Sequence, residues 1–319
     1  MPNDGAATLD VGRLRLLREV GLRGTIAGAA RSLGLTSSAV SQQLTVLERE
    51  AGIALIDRSP RGVVLTGAGR LLAARAGEVL DVLTSARADL ERIGGAMAGP
   101  VSVASVASAA ATFVSAAVTE MRGAHPDISL GVTAAEPSRA LRLLVAGDVD
   151  LAVVDEYDYV PLALPDFVVV RELCTEPLVA LGPAGSFGRR RPALAELAMR
   201  DWVMPPDDAA CGLAVRSACR AEGFEPRVRW ETDDMLLLVR AVAAGHGVAV
   251  LPRLSVADEM AEVEVRPLRE PVLERRLIAV ARASAMGRPV VGTVLDALVL
   301  AAKHTLASQK RHFAPPSAL

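Results

Sequence analysis

Two short apolar-periodic segments meet at Gly34-Leu35 within TIAGAARSLGLTSSAVSQQLTVLEREAGIALIDRSPRGVVL, residues 25–65, and nothing else constrains the fold as tightly. In the first, Ile26, Ala29, Ala30 and Leu33 recur at helical spacing behind Thr25, whose hydroxyl suits a helix cap. The small pair Ala29-Ala30 lets a neighbouring helix approach closely. Gly34 can adopt the left-handed backbone that turns the chain without a Cβ clash. Thr36 is then the expected cap of a second helix, with Val40, Leu44 and Leu47 on its inner face. Upstream, Leu14, Leu17 and Val20 predict a helix from an Asp10 cap to Val20, with Arg13, Arg15 and Arg18 largely outward. After Gly52, ALIDR and VVLT flank Ser59-Pro60-Arg61-Gly62, where proline fixes one dihedral and glycine permits reversal. Three helices and a hairpin over residues 1–65 make a winged helix-turn-helix.

That build puts polar groups at the exposed start of the third helix. Thr36, Ser37, Ser38, Ser41 and Gln42 can hydrogen-bond phosphates or base edges, and a helix N-terminus itself attracts phosphate. Gln42 is the candidate for adenine readout. No arginine lies in this first turn, so no bidentate guanine contact is expected from it. Arg58 and Arg61 of the hairpin would meet the backbone or the minor groove. The formal net charge of −2 excludes a generally basic nucleic-acid binder but not a small reading module. The expected partner is double-stranded DNA with paired half-sites.

From Thr66 a long helix is predicted to run to Ile93 and stop at Gly94-Gly95, giving a linker over residues 66–95. Leu72, Ala76, Val79, Leu83, Ala86, Leu90 and Ile93 alternate steps of four and three, the seam of a two-stranded coiled coil. A homodimer would present two reading helices to successive half-sites.

Beyond residue 96 the pattern changes to alternating β and α segments. VSVAS, a small-residue helix from Ser108 to Arg122, ISLGVTA, a helix from Ser138 to Ala146 and VDLAVV make one half. EPLVAL, WVMP, a helix from Ala209 to Ala221, RVRWE, a helix from Asp233 to Ala244 and GVAVLP make the other. Such alternation predicts two open α/β lobes with mainly parallel sheets. Lobe I would take about residues 96–168 and 271–319, and lobe II about residues 169–270. DFVVVRELC (166–174) and EVEVRPLRE (262–270) are expected to cross between them. Ligands bind where strand ends meet helix starts, which singles out Ser105, Ala107, Ser108, Glu136, Ser138, Pro205, Asp207 and Thr232 for a small-molecule effector. Asp207-Asp208 disfavours an anion on that side, so an effector with an amine or hydroxyls is as open as a carboxylate.

Other chemistry finds little footing. There is no nucleophile elbow, no GxGxxG after a strand, no P-loop and no metal-type spacing. His125, His246, His304 and His312 have no acid–base partner in the sequence, so neither a catalytic set, a metal nor a cofactor is expected. Cys174, Cys211 and Cys219 read as small buried thiols, with a Cys211–Cys219 redox pair as the alternative. Neither a signal peptide nor a membrane span is expected, which points to a cytoplasmic protein.

These residues together resemble the LysR-type transcriptional regulators. The likeness is carried by AARSLGLTSSAVSQQLTVLE (29–48), LIDR (55–58), VVLTGAG (63–69), HPDI (125–128), AGDVDLA (146–152) and AAGHGVAVLP (243–252). It implies a winged helix-turn-helix, a dimerisation helix and a two-lobed α/β effector domain like the periplasmic binding proteins. It also implies DNA binding tuned by an effector in the cleft, and a tetramer built from dimers. The competing reading is a cytoplasmic solute-binding protein whose N-terminal helices only dimerise.

Overall fold

The computed structural model describes residues 9–59, 62–93, 98–256 and 261–312. The chain divides into two compact units. The first is Met1–Ala96 with the short segments Val145–Asp148 and Ala283–Val291, and the second is the remainder.

In the first unit, α1 (Val11–Arg23), α2 (Ile26–Leu33) and α3 (Ser37–Ala51) start at the expected caps. The side chains of Asp10, Thr25 and Thr36 accept from the backbone N–H groups of Arg13, Gly28 and Ala39. The first helix runs three residues past Val20, to the left-handed Gly24. Gly34 ends α2 at φ +65°, the turn into α3. Leu14, Leu17, Val20, Ala29, Ala30, Val40, Leu44 and Leu47 form one core with Leu55 and Ile56. The hairpin follows as β1 (Ile56–Ser59) and β2 (Gly62–Leu65), antiparallel with Ile56 opposite Leu65. Glu48 ties it to α3 by accepting from Leu55 N at 2.9 Å and Ile56 N at 3.1 Å. Arg13 is less outward than expected, because its guanidinium donates to Glu50 and to Gln43 Oε1.

The long helix α4 spans Gly67–Ile93, and Thr66 Oγ1 accepts from Gly69 N at 3.0 Å. Gly69 is buried where α4 presses on the chain before β1, and a Cβ there would collide with the carbonyl of Leu55. The predicted seam divides in two. Leu72 and Ala76 pack into the core of this unit, whereas Val79, Leu83 and Leu90, with Val82 beside them, are exposed in the single chain.

The second unit is organised by β3 (Gly99–Ser105), β4 (Ile128–Ala134), β5 (Leu151–Tyr157), β6 (Val168–Pro183), β7 (Asp201–Met204), β8 (Arg227–Glu231), β9 (Ala249–Pro252), β10 (Val263–Pro267) and β11 (Glu274–Arg282). β3 pairs parallel with β4 and β5, as the βα alternation requires. β7 and β8 are likewise parallel. The expectation of two mainly parallel sheets needs correction, since β6 runs through both halves. Its first part pairs antiparallel with β11, and its last residues pair antiparallel with β9 and β10. The result is one sheet ordered β10-β6-β11-β5-β3-β4, with β9 also on β6. Two helices, Ala210–Ala221 and Met235–Ala243, lie between β6 and these partners, so their direction is set by where the returning strands lie and not by a simple βα crossover. EVEVRPLRE accordingly lies along β6 in the second half as β10, and β11 makes the return crossing. One half packs around Ala140, Leu144 and Ile278. The other packs around Trp202, Val215 and Leu251, with the Trp202 and Phe224 rings 6.2 Å apart.

The helix Pro289–His312 holds a 20-residue stretch, Pro289–Ser308, apolar and long enough to cross a membrane by composition alone. Its buried residues Val290, Val291, Val294, Leu295, Leu298, Ala301 and Ala302 recur at three and four, while Lys303 and His304 are exposed. One-sided burial at this period is the pattern of a helix packed in a protein core.

Candidate functional site

On α3 the polar start of the helix faces solvent. Ser37, Ser38 and Gln42 are exposed, and Ser41 is half-buried. Thr36 Oγ1 is engaged in capping, and it lies 3.0 Å from Ser38 Oγ. Thr45 and Arg49 are exposed one and two turns on, so Ser38, Gln42, Thr45 and Arg49 form one stripe at steps of four, three and four. Sequence reading stopped at Gln42 and missed the stripe's basic end. The helical period alone would have carried it to Arg49. Arg58 sits in β1 opposite Val63, but its side chain and the whole of Arg61 lie outside the described residues.

In the second unit a cavity of about 440 Å³ opens between the two halves. Of the residues singled out from sequence, Ala107, Ser108, Glu136 and Pro205 line it; Ser105, Ser138, Asp207 and Thr232 do not. Ser105 is fully buried at the end of β3, and its hydroxyl donates to Val106 O at 3.1 Å. Thr232 Oγ1 accepts from Asp234 N at 3.2 Å. Asp207 and Ser138 are exposed, away from the lining. Pro205 is fixed by Arg216, whose Nη1 donates to Pro205 O at 2.8 Å while Nη2 donates to Glu231 Oε2 at 2.7 Å. The helix that opens at Ala107 changes to π spacing over Ala110–Val114 before continuing as Ser115–Ala124. That irregular turn lies where Ala111 borders the cavity, and π turns recur at binding sites.

The floor of the cavity is an ionic cluster. Arg275, only 2% exposed, donates from Nη1 to Asp155 Oδ2 at 2.9 Å, from Nε to Glu176 Oε1 at 2.6 Å and from Nη2 to Ser108 Oγ at 2.7 Å. Tyr157 donates to Asp155 Oδ2 at 3.0 Å, and the second Glu176 oxygen accepts from Leu254 N at 2.6 Å. Burial works against the charge of Arg275, but Tyr157, Glu176 and Asp155 outweigh it and hold the guanidinium well above its ordinary pKa. Burial pushes the Glu176 carboxyl up, while Arg275 and the Leu254 N–H pull it back. Glu136, at the rim, is also raised, first by lost solvation in the cleft and then by the charges of Asp155 and Asp233. Strand register assembles this cluster, with Arg275 of β11 opposite Tyr157 of β5 on one side and Glu176 of β6 on the other. No local motif marks residues so far apart in sequence, so a one-dimensional reading could not find them.

The thiols are all buried, and burial pushes each of Cys174, Cys211 and Cys219 up to about 12. Cys211 and Cys219 share the helix Ala210–Ala221. Eight residues at helical rise separate them by about 12 Å, beyond the reach of a disulfide. The redox-pair alternative therefore falls.

Residues 11–70 match the family described as "Bacterial regulatory helix-turn-helix protein, lysR family", and residues 94–303 match "LysR substrate binding domain". The chain belongs to the LysR family. It is a DNA-binding transcription regulator with an effector-binding domain. Among similar proteins, the small neutral protease regulatory protein of Streptomyces coelicolor is 31% identical over 273 residues, covering 84% of this chain and 84% of that one. The nitrogen assimilation regulatory protein nac of Escherichia coli (strain K12) is 29% identical over 230 residues, covering 72% of this LysR chain and 73% of its own length. Among solved structures, a full-length variant of OxyR from Pseudomonas aeruginosa superposes with a TM-score of 0.70 at 21% identity, covering 93% of this chain and 95% of that one. Full-length CbnR in complex with its target DNA gives 0.55 at 19% identity, covering 92% and 99%. At those identities the two structures speak to the LysR fold alone.

Proposed function

We propose that two copies of α3, paired in a homodimer through α4, read the two half-sites of an operator, and that a small molecule in the cavity alters that reading. The exposed stripe on α3 carries the proposal: hydroxyl and amide groups sit at a helix start, with a guanidinium further along the same face. Ser37 and Ser38 meet phosphates at the helix start, Gln42 reads a base edge, and Arg49 and the wing residues Arg58 and Arg61 hold the backbone. Val79, Val82, Leu83 and Leu90 form the dimer seam, because exposed apolar side chains at coiled-coil spacing gain stability only when covered. On this reading residues 1–65 bind DNA, 66–95 link and dimerise, and 96–319 sense the effector.

The effector acts by population shift. A ligand that prefers one arrangement of the two lobes changes operator binding only by its difference in affinity between arrangements. Its first contacts are Ala107, Ser108, Glu136 and Pro205. The protein works by binding rather than by catalysis, in the cytoplasm with its DNA; the regulator names of its relatives support this. Gel shifts on the DNA upstream of its own gene test the core of the reading. Affinity should exceed that for random duplex by orders of magnitude and fall steeply with salt. Equal affinity for both duplexes refutes it.

A further inference from the structure

We infer that the ligand of the cavity carries a protonated amine on an apolar body, and that Glu136 and Asp233 read the amine. The inference rests on the effector-binding reading above and names the chemical class of ligand for that site.

Formal charge decides the sign. Among the described residues lining the cavity, Arg275 alone is basic. It is already committed to Asp155 and Glu176, which leaves the floor with one negative charge in excess. Glu136, Asp233 and Asp234 add three carboxylates at the rim. Asp234 is partly used, its Oδ1 accepting from Leu236 N at 2.9 Å and Leu237 N at 3.1 Å as a helix cap. Against them stand the helix starts at Ala107 and Ala210, neither with a side-chain cap, and those at Pro137 and Met235, which follow Glu136 and Asp234. Each contributes about half a positive charge at most. Even four such half charges do not offset the excess of carboxylates at floor and rim, so an anion would enter against the field and a cation with it.

Val106, Met235, Leu236, Val239 and Leu254 supply apolar wall for the body of the ligand. A second polar handle is present. Ser255 borders the same cavity, and its Oγ is buried with no hydrogen-bond partner among the described residues. A buried hydroxyl left unpaired is costly unless something supplies the bond. The Glu136 carboxyl, raised first by lost solvation and then by the negative charges of Asp155 and Asp233, agrees with this picture. An ammonium placed between Glu136 and Asp233 would relieve that repulsion.

The test pairs amines with carboxylates of similar shape. Full-length protein is titrated calorimetrically with 2-phenylethylamine and hexylamine, and with 3-phenylpropanoate and hexanoate. At least one amine should bind at least tenfold more tightly than its matched carboxylate. Glu136→Gln combined with Asp233→Asn should weaken that amine at least tenfold. Both positions are exposed, so the double variant should fold, as an unchanged thermal midpoint and intact operator binding would confirm. Carboxylates binding as well as amines, amine binding indifferent to the double variant, or no amine binding up to about tenfold above millimolar concentration would each overturn the inference. None of these outcomes touches the regulator reading, which falls separately if specific operator binding is absent.

Discussion

Arg275 is the most exacting test of how the cavity floor is built. It is 2% exposed and lies between Asp155 and Glu176, themselves 6% and 1% exposed. Replacing it with Met keeps much of the volume but leaves two carboxylates facing each other without a cation. Breaking a buried ion pair by removing one partner costs about 3–5 kcal/mol, and here one cation serves two anions, so the upper half of that range is expected. Tryptophan emission isolates the effect. The chain has two tryptophans, and Trp202 and Trp230 both lie in the second unit, Trp202 fully buried. Urea unfolding followed by this signal therefore reports that unit alone. The pH dependence has a definite sign. Without Arg275 the two buried carboxylates are left uncompensated, and burial already pushes the Glu176 carboxyl up. Their penalty is present at neutral pH and disappears as pH falls through the raised folded value towards about 4. The deficit of Arg275→Met should therefore narrow on acidification. Adding Asp155→Asn and Glu176→Gln should recover most of the loss at neutral pH. A deficit below about 1 kcal/mol, or one that widens in acid, would mean that the carboxylates are solvated and the cluster has been misread.

Three further outcomes follow from the first unit. Gly69→Ala should destabilise the first unit by about 1–3 kcal/mol or more, because the new methyl meets the Leu55 carbonyl; circular dichroism melting and loss of operator binding would show it, with tryptophan-detected unfolding unchanged. Gln42→Ala should relax preference at one base pair by about 1–3 kcal/mol, whereas Arg49→Ala should weaken all duplexes alike and reduce the salt slope by about one; a uniform loss from Gln42→Ala would contradict the assignment. Val79→Glu with Leu83→Glu, two exposed positions on α4, should shift the protein from dimer to monomer in sedimentation without lowering either unit's stability; a persistent dimer would place the interface elsewhere.

Much of the first unit was legible because its determinants are local. A cap, its helix and the glycine that ends it lie within one short window, as at Thr25, Ala29-Ala30 and Gly34, and each capping bond is made where the pattern puts it. The βα alternation of the second unit was legible for the same reason. Direction and pairing of the crossing strands were not, since they depend on where a distant strand lies. That is why β6 and β11 overturn the expectation of mainly parallel sheets. The cavity shows the same division. Ala107, Ser108, Glu136 and Pro205 could be named from strand-to-helix junctions. Asp233, adjacent to the chosen Thr232, reaches the lining where Thr232 caps its own loop.

The amino-acid order by itself determined the caps, breaks and periodicities, hence which segments are helix or strand and which face of α3 stays polar. Only the tertiary structure decided that Asp155, Glu176 and Arg275 share one buried site and that the cavity above them is acidic. Helical and strand periods act over a few residues, whereas electrostatic environment is set by neighbours through space. Here those neighbours are brought together by sheet register across more than a hundred residues of chain.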